Sequence, residues 1–259
     1  MTALFIKYFL IHFKSEMQYK ASFLFLTIGN FLMQFSTFLG VYFMFYLFHD
    51  VDGFTYAQVL LCFAVVIMAF SLAEMFGSGF ERLSRMLANG EFDRALVRPR
   101  NITFQILVSR MSFFRIGATA QAAIVFFWAI PNSGVVWTRD KIFTLSLMVI
   151  CGSLIFSMLF LIQATFAFFT TEGLEFMNIL TYGGRDHGRY PYSIYGVEVL
   201  RFLTFVIPLA LFQYYPLLYI LDIESSAFYM LTPLLGLLLF IPSYVFFRFG
   251  LSRYKSTGS

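Results

Sequence analysis

Residues 57–76 read AQVLLCFAVVIMAFSLAEMF, a run of twenty positions in which Glu74 is the only charged residue. A helix that crosses a bilayer needs about 20 mostly apolar residues, so this run predicts a transmembrane helix. Five further apolar stretches have a similar character and lie at residues 21–48, 106–130, 142–169, 197–220 and 228–247. The sequence therefore predicts an all-α polytopic membrane protein with six transmembrane helices, folded as one membrane domain over residues 1–259.

The composition excludes an ordinary soluble protein. Hydrophobic residues make up 59% of the chain and charged residues 12%, whereas soluble proteins are closer to half apolar and a quarter charged. One core could not bury so much apolar surface, but a bilayer can solvate it. The net charge of +4 comes from basic residues that flank apolar stretches, which predicts no nucleic-acid partner. Cys62 and Cys151 lie inside apolar runs and predict free thiols.

The distribution of Lys and Arg predicts the orientation. With the N-terminus in the cytoplasm, 16 of the 18 basic residues lie on the cytoplasmic side, and only Arg139 and Lys141 lie outside. The external loops then carry acidic residues, namely Asp50, Asp52, Asp140, Asp222 and Glu224. Lys7, Lys14 and Lys20, without a small-residue cleavage site, predict no removable signal peptide. We therefore expect both termini in the cytoplasm.

The stretch between the second and third apolar segments predicts an amphipathic helix. One helical face carries apolar side chains, and the charged side chains fall off it. The apolar face consists of Phe80, Leu83, Met86 and Leu87. Such a helix either lies on the inner leaflet with its arginines at lipid phosphates or offers a docking surface to a cytoplasmic partner.

Local signals predict where this element begins and ends. Ser78 and Glu81 have the spacing of a capping box, and Asn89-Gly90 is a helix stop because glycine adopts the left-handed conformation freely. A second short helix is predicted at residues 91–97. Arg98-Pro99 ends it, because proline cannot continue the helical hydrogen bonds.

Residues 90–99, GEFDRALVRP, resemble the Gly-x-x-Asp-x-x-Leu-x-(Arg/Lys)-Pro segment of permease subunits in the type-2 ABC exporter superfamily. The resemblance is closest to the bacterial branch in which the permease is a separate six-span chain. It extends to QYKASF at residues 18–23, to YPYSIY at residues 190–195, and to the pairs Ile207-Pro208 and Tyr215-Pro216. These features occur in the expected order over most of the chain.

The resemblance implies that the loop between the second and third spans packs on a separate ATP-binding subunit and transmits its motion. Gly90 would permit the turn, Phe92 and Leu96 would be apolar anchors, and Pro99 would set the exit. The docking residues that the resemblance implies are Glu81, Arg82, Arg85, Gly90, Phe92, Asp93, Arg94, Leu96, Arg98 and Pro99. Asp93 would pair across the interface, or it would form a local ion pair with Arg94 or Arg98 that only shapes the loop.

The resemblance also implies the partners and the location. It implies an exporter with two permease chains, identical or related, and two copies of an ATP-binding subunit, in the bacterial inner (plasma) membrane. This chain has no Gly-x-x-x-x-Gly-Lys-(Ser/Thr) phosphate loop, so ATP and Mg²⁺ would be bound by the partner subunit. We predict no catalytic residue, cofactor or metal in this chain, and lipid is its remaining partner.

Residues 170–196, between the fourth and fifth apolar segments, are too polar for a lipid-spanning helix. We expect them at the cytoplasmic face, as a second contact with the ATP-binding subunit through Glu172, Glu175, Arg185 and Arg189. His187 beside Asp186 matches no metal-binding motif, and a solvated loop is the simpler interpretation.

The prolines of the fifth segment predict a kinked or broken helix. The resemblance implies a short helix that dips into the outer leaflet after this span, at residues 211–222, marked by Pro208, Tyr215 and Pro216. An ordinary belt of interfacial aromatic residues is the alternative.

Two other functions stay open on the sequence. One is an ATP-independent carrier or scaffold whose cytoplasmic helices lie on lipid. The other is a polytopic membrane enzyme that uses residues 170–196, with His187 and Asp186 as its reacting groups. Glu74, Arg110 and Arg115 lie in or near the spans, and we expect them close to the cytoplasmic ends, where snorkelling lowers their cost.

Overall fold

The structure, a computed structural model, describes residues 2–48, 52–170 and 175–254. Within these ranges the chain is helical and contains no β-strand. The α-helices are α1 (Thr2–Met17), α2 (Lys20–Phe48), α3 (Tyr56–Glu81), α4 (Leu83–Ala88), α5 (Glu91–Leu96), α6 (Ile102–Leu107), α7 (Ile116–Asn132), α8 (Arg139–Phe166), α9 (Glu175–Leu180), α10 (Tyr182–His187), α11 (Val197–Phe205), α12 (Leu209–Ile220), α13 (Ala227–Gly236) and α14 (Phe240–Arg253). Short 3-10 turns lie at Phe113–Arg115, Tyr192–Tyr195 and Leu237–Leu239.

Five helical stretches of the described chain are long and apolar enough to cross a bilayer. They are α2, α3 with α4, α7 with the preceding turn, α8, and α13 with α14. A sixth crossing exists if α11 and α12 count as one broken span, since they meet at an angle of 112°. The predicted break of the fifth apolar segment is therefore confirmed, at the position of Pro208.

Helix α3 forms the centre of the bundle. It packs along α7 on one side and α8 on the other, and its side chains are buried all round, which explains why residues 57–76 are apolar on every face. Helices α12, α13 and α14 pack on α8. Helix α2 packs mainly on α7 and leaves side chains such as Phe25 and Tyr46 exposed to the surroundings, as a lipid-facing helix does.

The third apolar segment crosses over a shorter range than the predicted 106–130. Helix α6 ends at Leu107, and α7 begins only at Ile116. Between them the backbone turns, and the N–H of Ser112 donates to the carbonyl of Met75 on α3 at 3.0 Å. A hydrogen bond to a distant helix holds this turn, and no local pattern in an apolar run signals it.

The predicted capping box at Ser78 and Glu81 is wrong, because α3 continues through both residues to Glu81. The Ser78 hydroxyl instead donates to the carbonyl of Arg110 at 3.3 Å. Gly79 lets the end of α6 approach α3 closely, since a Cβ at that position would collide with the carbonyl oxygens of Ile106 and Leu107. The end of α6 thus crosses directly over α3 at a glycine.

The bundle has two distinct ends. At the first, which we call the loop end, α4, α5 and α6 lie beside Phe168 and Tyr254. At the opposite end, buried Lys141 forms an ion pair of 2.6 Å with Asp222, so one of the two basic residues expected outside is neutralised by an acidic loop residue.

Candidate functional site

Two short helices at the loop end, α4 and α5, occupy residues 83–96 and form a hairpin. The chain reverses between them at Gly90, whose φ of 67° lies in the left-handed region that favours glycine. Leu83, Met86 and Leu87 face the bundle and are buried, as their spacing predicts. The amphipathic helices predicted on either side of Gly90 are therefore present, whereas their coupling role stays a prediction.

Two of the predicted docking residues are used inside the chain. The Arg82 guanidinium forms an ion pair of 3.2 Å with Glu91 and donates to the carbonyl of Ser109 at 3.4 Å. The Glu81 carboxylate accepts a hydrogen bond of 2.8 Å from the Tyr182 hydroxyl. Arg82 thus ties α5 to the turn after α6, and Glu81 ties α3 to α10.

Phe92 anchors α5 to the bundle. Its side chain is fully buried, with its ring centroid 4.9 Å from that of Tyr254 and 5.5 Å from that of Phe168 in edge-to-face geometry. Asp93 accepts a hydrogen bond from the Tyr254 hydroxyl at 2.9 Å. Leu96, the other predicted anchor, is 43% exposed, so only Phe92 is held by the chain's own core.

The exposed part of the hairpin is basic. Arg85, Arg94 and Arg98 are exposed, and none of them forms an ion pair with another described residue. Asp93 is held by the Tyr254 hydroxyl, and its role in docking or in shaping the loop stays a prediction. A cleft of about 330 Å³ opens beside Arg94 and Arg98, between α5 and α1. Pro99 is exposed and lines a neighbouring cleft with Leu4 and Phe104.

Helix α1 completes this surface, and the sequence reasoning missed it. His12 Nε2 lies 2.9 Å from the carbonyl oxygen of Val108, and Glu16 accepts from the backbone N–H of Phe113 at 3.2 Å. Phe9 packs edge-to-face on the Phe113 ring at 4.9 Å. Apolar and aromatic residues at 5, 8, 9, 12 and 13 follow a helical period, which was the available signal.

Part of the predicted second contact packs on the central helix α3. Arg185 lies over the ring of Phe70, 4.9 Å from its centroid, and Gly188 packs on Val66. Phe70 is 14 residues into the 26-residue helix α3, about 21 Å along a length of about 39 Å. The segment with Arg185 and Arg189 therefore packs on the central helix α3, and its expected position at the cytoplasmic face stays a prediction.

Two physical features allow this polar segment to pack against α3. Asp186 accepts from Arg185 and from Arg189 at 2.7 Å each, which neutralises part of their charge. Gly188 permits close packing, since a Cβ there would lie 2.7 Å from the Tyr192 hydroxyl oxygen. Glu172 lies outside the described residues, as does the side chain of Glu175, so the position of these two predicted contacts is open.

A second polar cluster joins α3 to three other parts of the chain. Arg115 forms an ion pair of 2.6 Å with buried Glu74 and donates to Asn30 of α2 at 3.1 Å. The Tyr182 hydroxyl lies within hydrogen-bonding distance of both Glu74 and Glu81. Glu74 is thus satisfied by partners from distant segments, although snorkelling alone was expected to lower its cost.

The fifth apolar segment contains the predicted proline-marked helix as α12. Pro208 precedes its first residue, and Pro216 lies inside it. The Tyr215 hydroxyl lies 3.1 Å from that of Thr204 on α11 and so links the two limbs of the bend. Whether α12 lies in the outer leaflet stays a prediction.

His187 and Asp186 form no metal centre within the described chain. His187 Nδ1 lies 2.7 Å from the carbonyl oxygen of Gly183; a carbonyl can only accept a hydrogen bond, so Nδ1 carries the hydrogen in this arrangement. Among the residues that the structure describes, no group of three or more His, Cys, Asp or Glu side chains could hold a metal ion.

In a comparison with protein families, residues 31–258 match the model of a family described as ABC-2 family transporter protein. Comparison with curated proteins and with solved structures gives no match. The matched range includes the α4–α5 hairpin, both polar clusters and the broken fifth segment, whereas α1 precedes it.

Proposed function

The chain belongs to the ABC-2 family of transporter proteins, and from that premise we propose that it is the membrane-spanning subunit of an ATP-driven exporter. Two such chains, identical or related, form the translocation path, and two copies of an ATP-binding subunit dock below them. ATP and Mg²⁺ are bound by that subunit, and this chain does no chemistry itself. The loop end faces the cytoplasm of a bacterium, and both termini lie there.

The observation that carries this proposal is the basic surface of the α4–α5 hairpin. Arg85 and Arg94 on the two helices, and Arg98 just after α5, are exposed on a hairpin that is held by Phe92 and by the Arg82–Glu91 ion pair. Arginines on a rigid support are suited to carboxylate recognition across a protein interface. A rigid support also transmits a displacement into the bundle, because α4 continues directly from the central helix α3.

The connection from the hairpin to the bundle supports coupled motion. Arg82 links α5 to the turn before α7, and Glu81 links α3 to α10 through Tyr182. A displacement of the hairpin is therefore transmitted to α3, α7 and α10 through hydrogen bonds and packing. Such a contiguous network is what ATP-driven motion in the partner would need in order to change access to the path.

A co-purification from the native membrane tests the proposal. Tagged wild type is compared with Arg94→Glu/Arg98→Glu, which reverses two exposed charges without touching an internal contact. Arg139→Glu, at an exposed arginine at the opposite end of the bundle, is the matched control. We expect an ATP-binding protein with the wild type and the control and its loss with the double variant.

The alternative outcomes are informative in different ways. Retention of the ATP-binding protein by the double variant would leave the exporter intact and move the docking surface away from the hairpin. Absence of any ATP-binding protein from all three samples would contradict the exporter and favour a carrier or scaffold.

A further inference from the structure

One pocket of the structure lies between three of the helical stretches that are long enough to cross a bilayer. Its walls come from α2, α3 and α7, and its volume is about 290 Å³. A protein cavity of about 150 Å³ is enough to bind benzene, so this pocket suits a molecule with one or two rings. Aromatic side chains form much of its lining, namely Phe31, Phe35, Phe38, Tyr56 and Trp128.

These rings offer flat apolar surface to a ligand. The rings of Phe35 and Phe38 lie 5.8 Å apart between centroids with an interplanar angle of 24°, and Trp128 meets Tyr56 edge to face at 5.4 Å. Phe35 and Trp128 stay 41% and 47% exposed, so the core of the chain does not use all of their surface. A flat apolar molecule can therefore stack on these rings or meet them edge to face.

Gln121 of α7 supplies a polar group to this mostly apolar lining. Its side chain lines the pocket and is 2% exposed, and its Oε1 is buried without a hydrogen-bond partner among the described residues. A buried amide oxygen without a partner is unfavourable, and a bound molecule is one way to satisfy it. The last side-chain torsion of glutamine is broad, so the amide turns without a shift of α7 and presents its oxygen or its nitrogen to the pocket.

A molecule with a hydroxyl group satisfies this amide better than water does. A buried water molecule typically needs two to four polar partners. Ile124 and Val125, which line the pocket next to Gln121 on α7, are apolar, and Trp128 lies seven residues away, about 10 Å along the helix. A hydroxyl both donates and accepts, which matches the two halves of an amide, and the body attached to it fills the apolar remainder of the pocket.

We propose that this pocket binds a neutral alcohol or phenol with a flat apolar body of one or two rings, and that the Gln121 amide recognises its hydroxyl group. The ring lies against Phe35 and Trp128, and the hydroxyl exchanges hydrogen bonds with the amide. The bound molecule touches three helices at once and so fastens α2, which packs mainly on α7, to the central helix. The pocket shares no residue with the α4–α5 hairpin, and the inference does not depend on the exporter.

Quenching of Trp128 fluorescence in the purified chain tests this assignment. The chain has two tryptophans, so Trp137→Phe, carried by every sample, leaves Trp128 in the pocket wall as the reporter. The probes are 4-bromophenol, which is neutral at pH 7, and 4-bromoanisole, in which a methyl group replaces the hydroxyl hydrogen. Bromine quenches tryptophan on contact. We expect saturable quenching by both probes and an affinity about three- to tenfold higher for the phenol, the size of one neutral hydrogen bond.

Two buried glutamines provide a matched pair of variants. Gln121→Leu should abolish the preference for the phenol over the anisole. Gln34→Leu, on α2, should leave the preference unchanged, because Gln34 is also buried with an unpartnered Oε1 among the described residues but does not line the pocket. The quantity compared is the ratio of the two affinities, since each probe partitions into the detergent equally for every variant.

A substitution on the wall makes the test independent of the amide. Ile124 lines the pocket and is 57% exposed, so Ile124→Phe adds bulk there without overpacking the core and should weaken the binding of both probes. Ile150→Phe, at an equally exposed isoleucine of α8 outside the pocket, should have no effect. The phenol should also raise the thermal unfolding midpoint of the parent chain, and that of Gln121→Leu less.

Four results would overturn the proposal. Equal affinities for phenol and anisole would leave the pocket to lipid chains, and quenching that does not saturate would show partitioning into detergent alone. Retention of the preference by Gln121→Leu would exclude the amide, and its loss in both glutamine variants would assign the effect to the packing of α2 on α7. No ATP-binding subunit is present in these measurements, so these results contradict the pocket alone, whereas a failed co-purification contradicts the exporter.

Discussion

The hydroxyl of Tyr254 donates a hydrogen bond of 2.9 Å to Asp93, although 161 positions separate the two residues. The same tyrosine ring packs against Phe92, 4.9 Å between centroids. The end of α14 is thereby fastened to the α4–α5 hairpin, and burial together with the neighbouring Asp93 raises the pKa of the Tyr254 hydroxyl. The last apolar helical stretch and the proposed docking surface are therefore in direct contact.

Tyr254→Phe should loosen this connection while it keeps the ring contact. Loss of one hydrogen bond to a carboxylate should lower the free energy of unfolding by about 1–2 kcal/mol. Thermal unfolding in detergent should show a lower midpoint than for the wild type. Tyr244→Phe, at a tyrosine of α14 whose hydroxyl has no partner among the described residues, is the control, and an equal effect of both changes would argue against the Asp93 contact.

Phe92→Ala should be the most destabilising change in the hairpin. Truncating a fully buried aromatic side chain leaves a cavity beneath α5, at a cost of about 3–5 kcal/mol. We expect weaker co-purification of the ATP-binding protein together with a lower unfolding midpoint. Leu96→Ala, on the same helix but 43% exposed, should change the midpoint little.

Gly79→Ala should disturb the crossing of α6 over α3. A methyl group there meets the carbonyl oxygens of Ile106 and Leu107, and forcing such backbone apart typically costs about 1–3 kcal/mol. Gly77→Ala on the same helix meets only ordinary contacts, the nearest at 3.4 Å, and should be neutral or slightly stabilising. Thermal unfolding of the two variants side by side checks this, and equal midpoints would contradict the close crossing.

The Glu74–Arg115 ion pair should behave as a buried pair. Glu74→Gln or Arg115→Gln alone leaves one charge without its counter-ion and should destabilise by about 3–5 kcal/mol, and the double variant should recover part of this loss. A double-mutant cycle on unfolding free energies measures the coupling. The exposed Glu198–Arg201 pair should give about 0.5 kcal/mol or less in the same cycle.

The two regions between the spans differ in how well their placement could be predicted. For the α4–α5 hairpin, the helical period and the Asn89-Gly90 stop depend on neighbouring residues. Both helices lie at the positions that this pattern predicts. For residues 182–192, polarity predicted a segment at the cytoplasmic face, which stays a prediction, but it did not predict the packing against α3. Their burial depends on Asp186 balancing two arginines and on Phe70 lying under Arg185, a contact between residues far apart in the chain.

The sequence by itself determined the class of the protein, the break at Pro208 and the amphipathic elements around Gly90, since apolar length, proline and helical period act through adjacent residues. Only the tertiary structure decided that α3 is the central helix, that α7 begins at Ile116, and that Gln121 lines a pocket between α2, α3 and α7. The free energy of a buried polar group depends on the groups packed around it. Those groups come from segments that meet only in the folded chain.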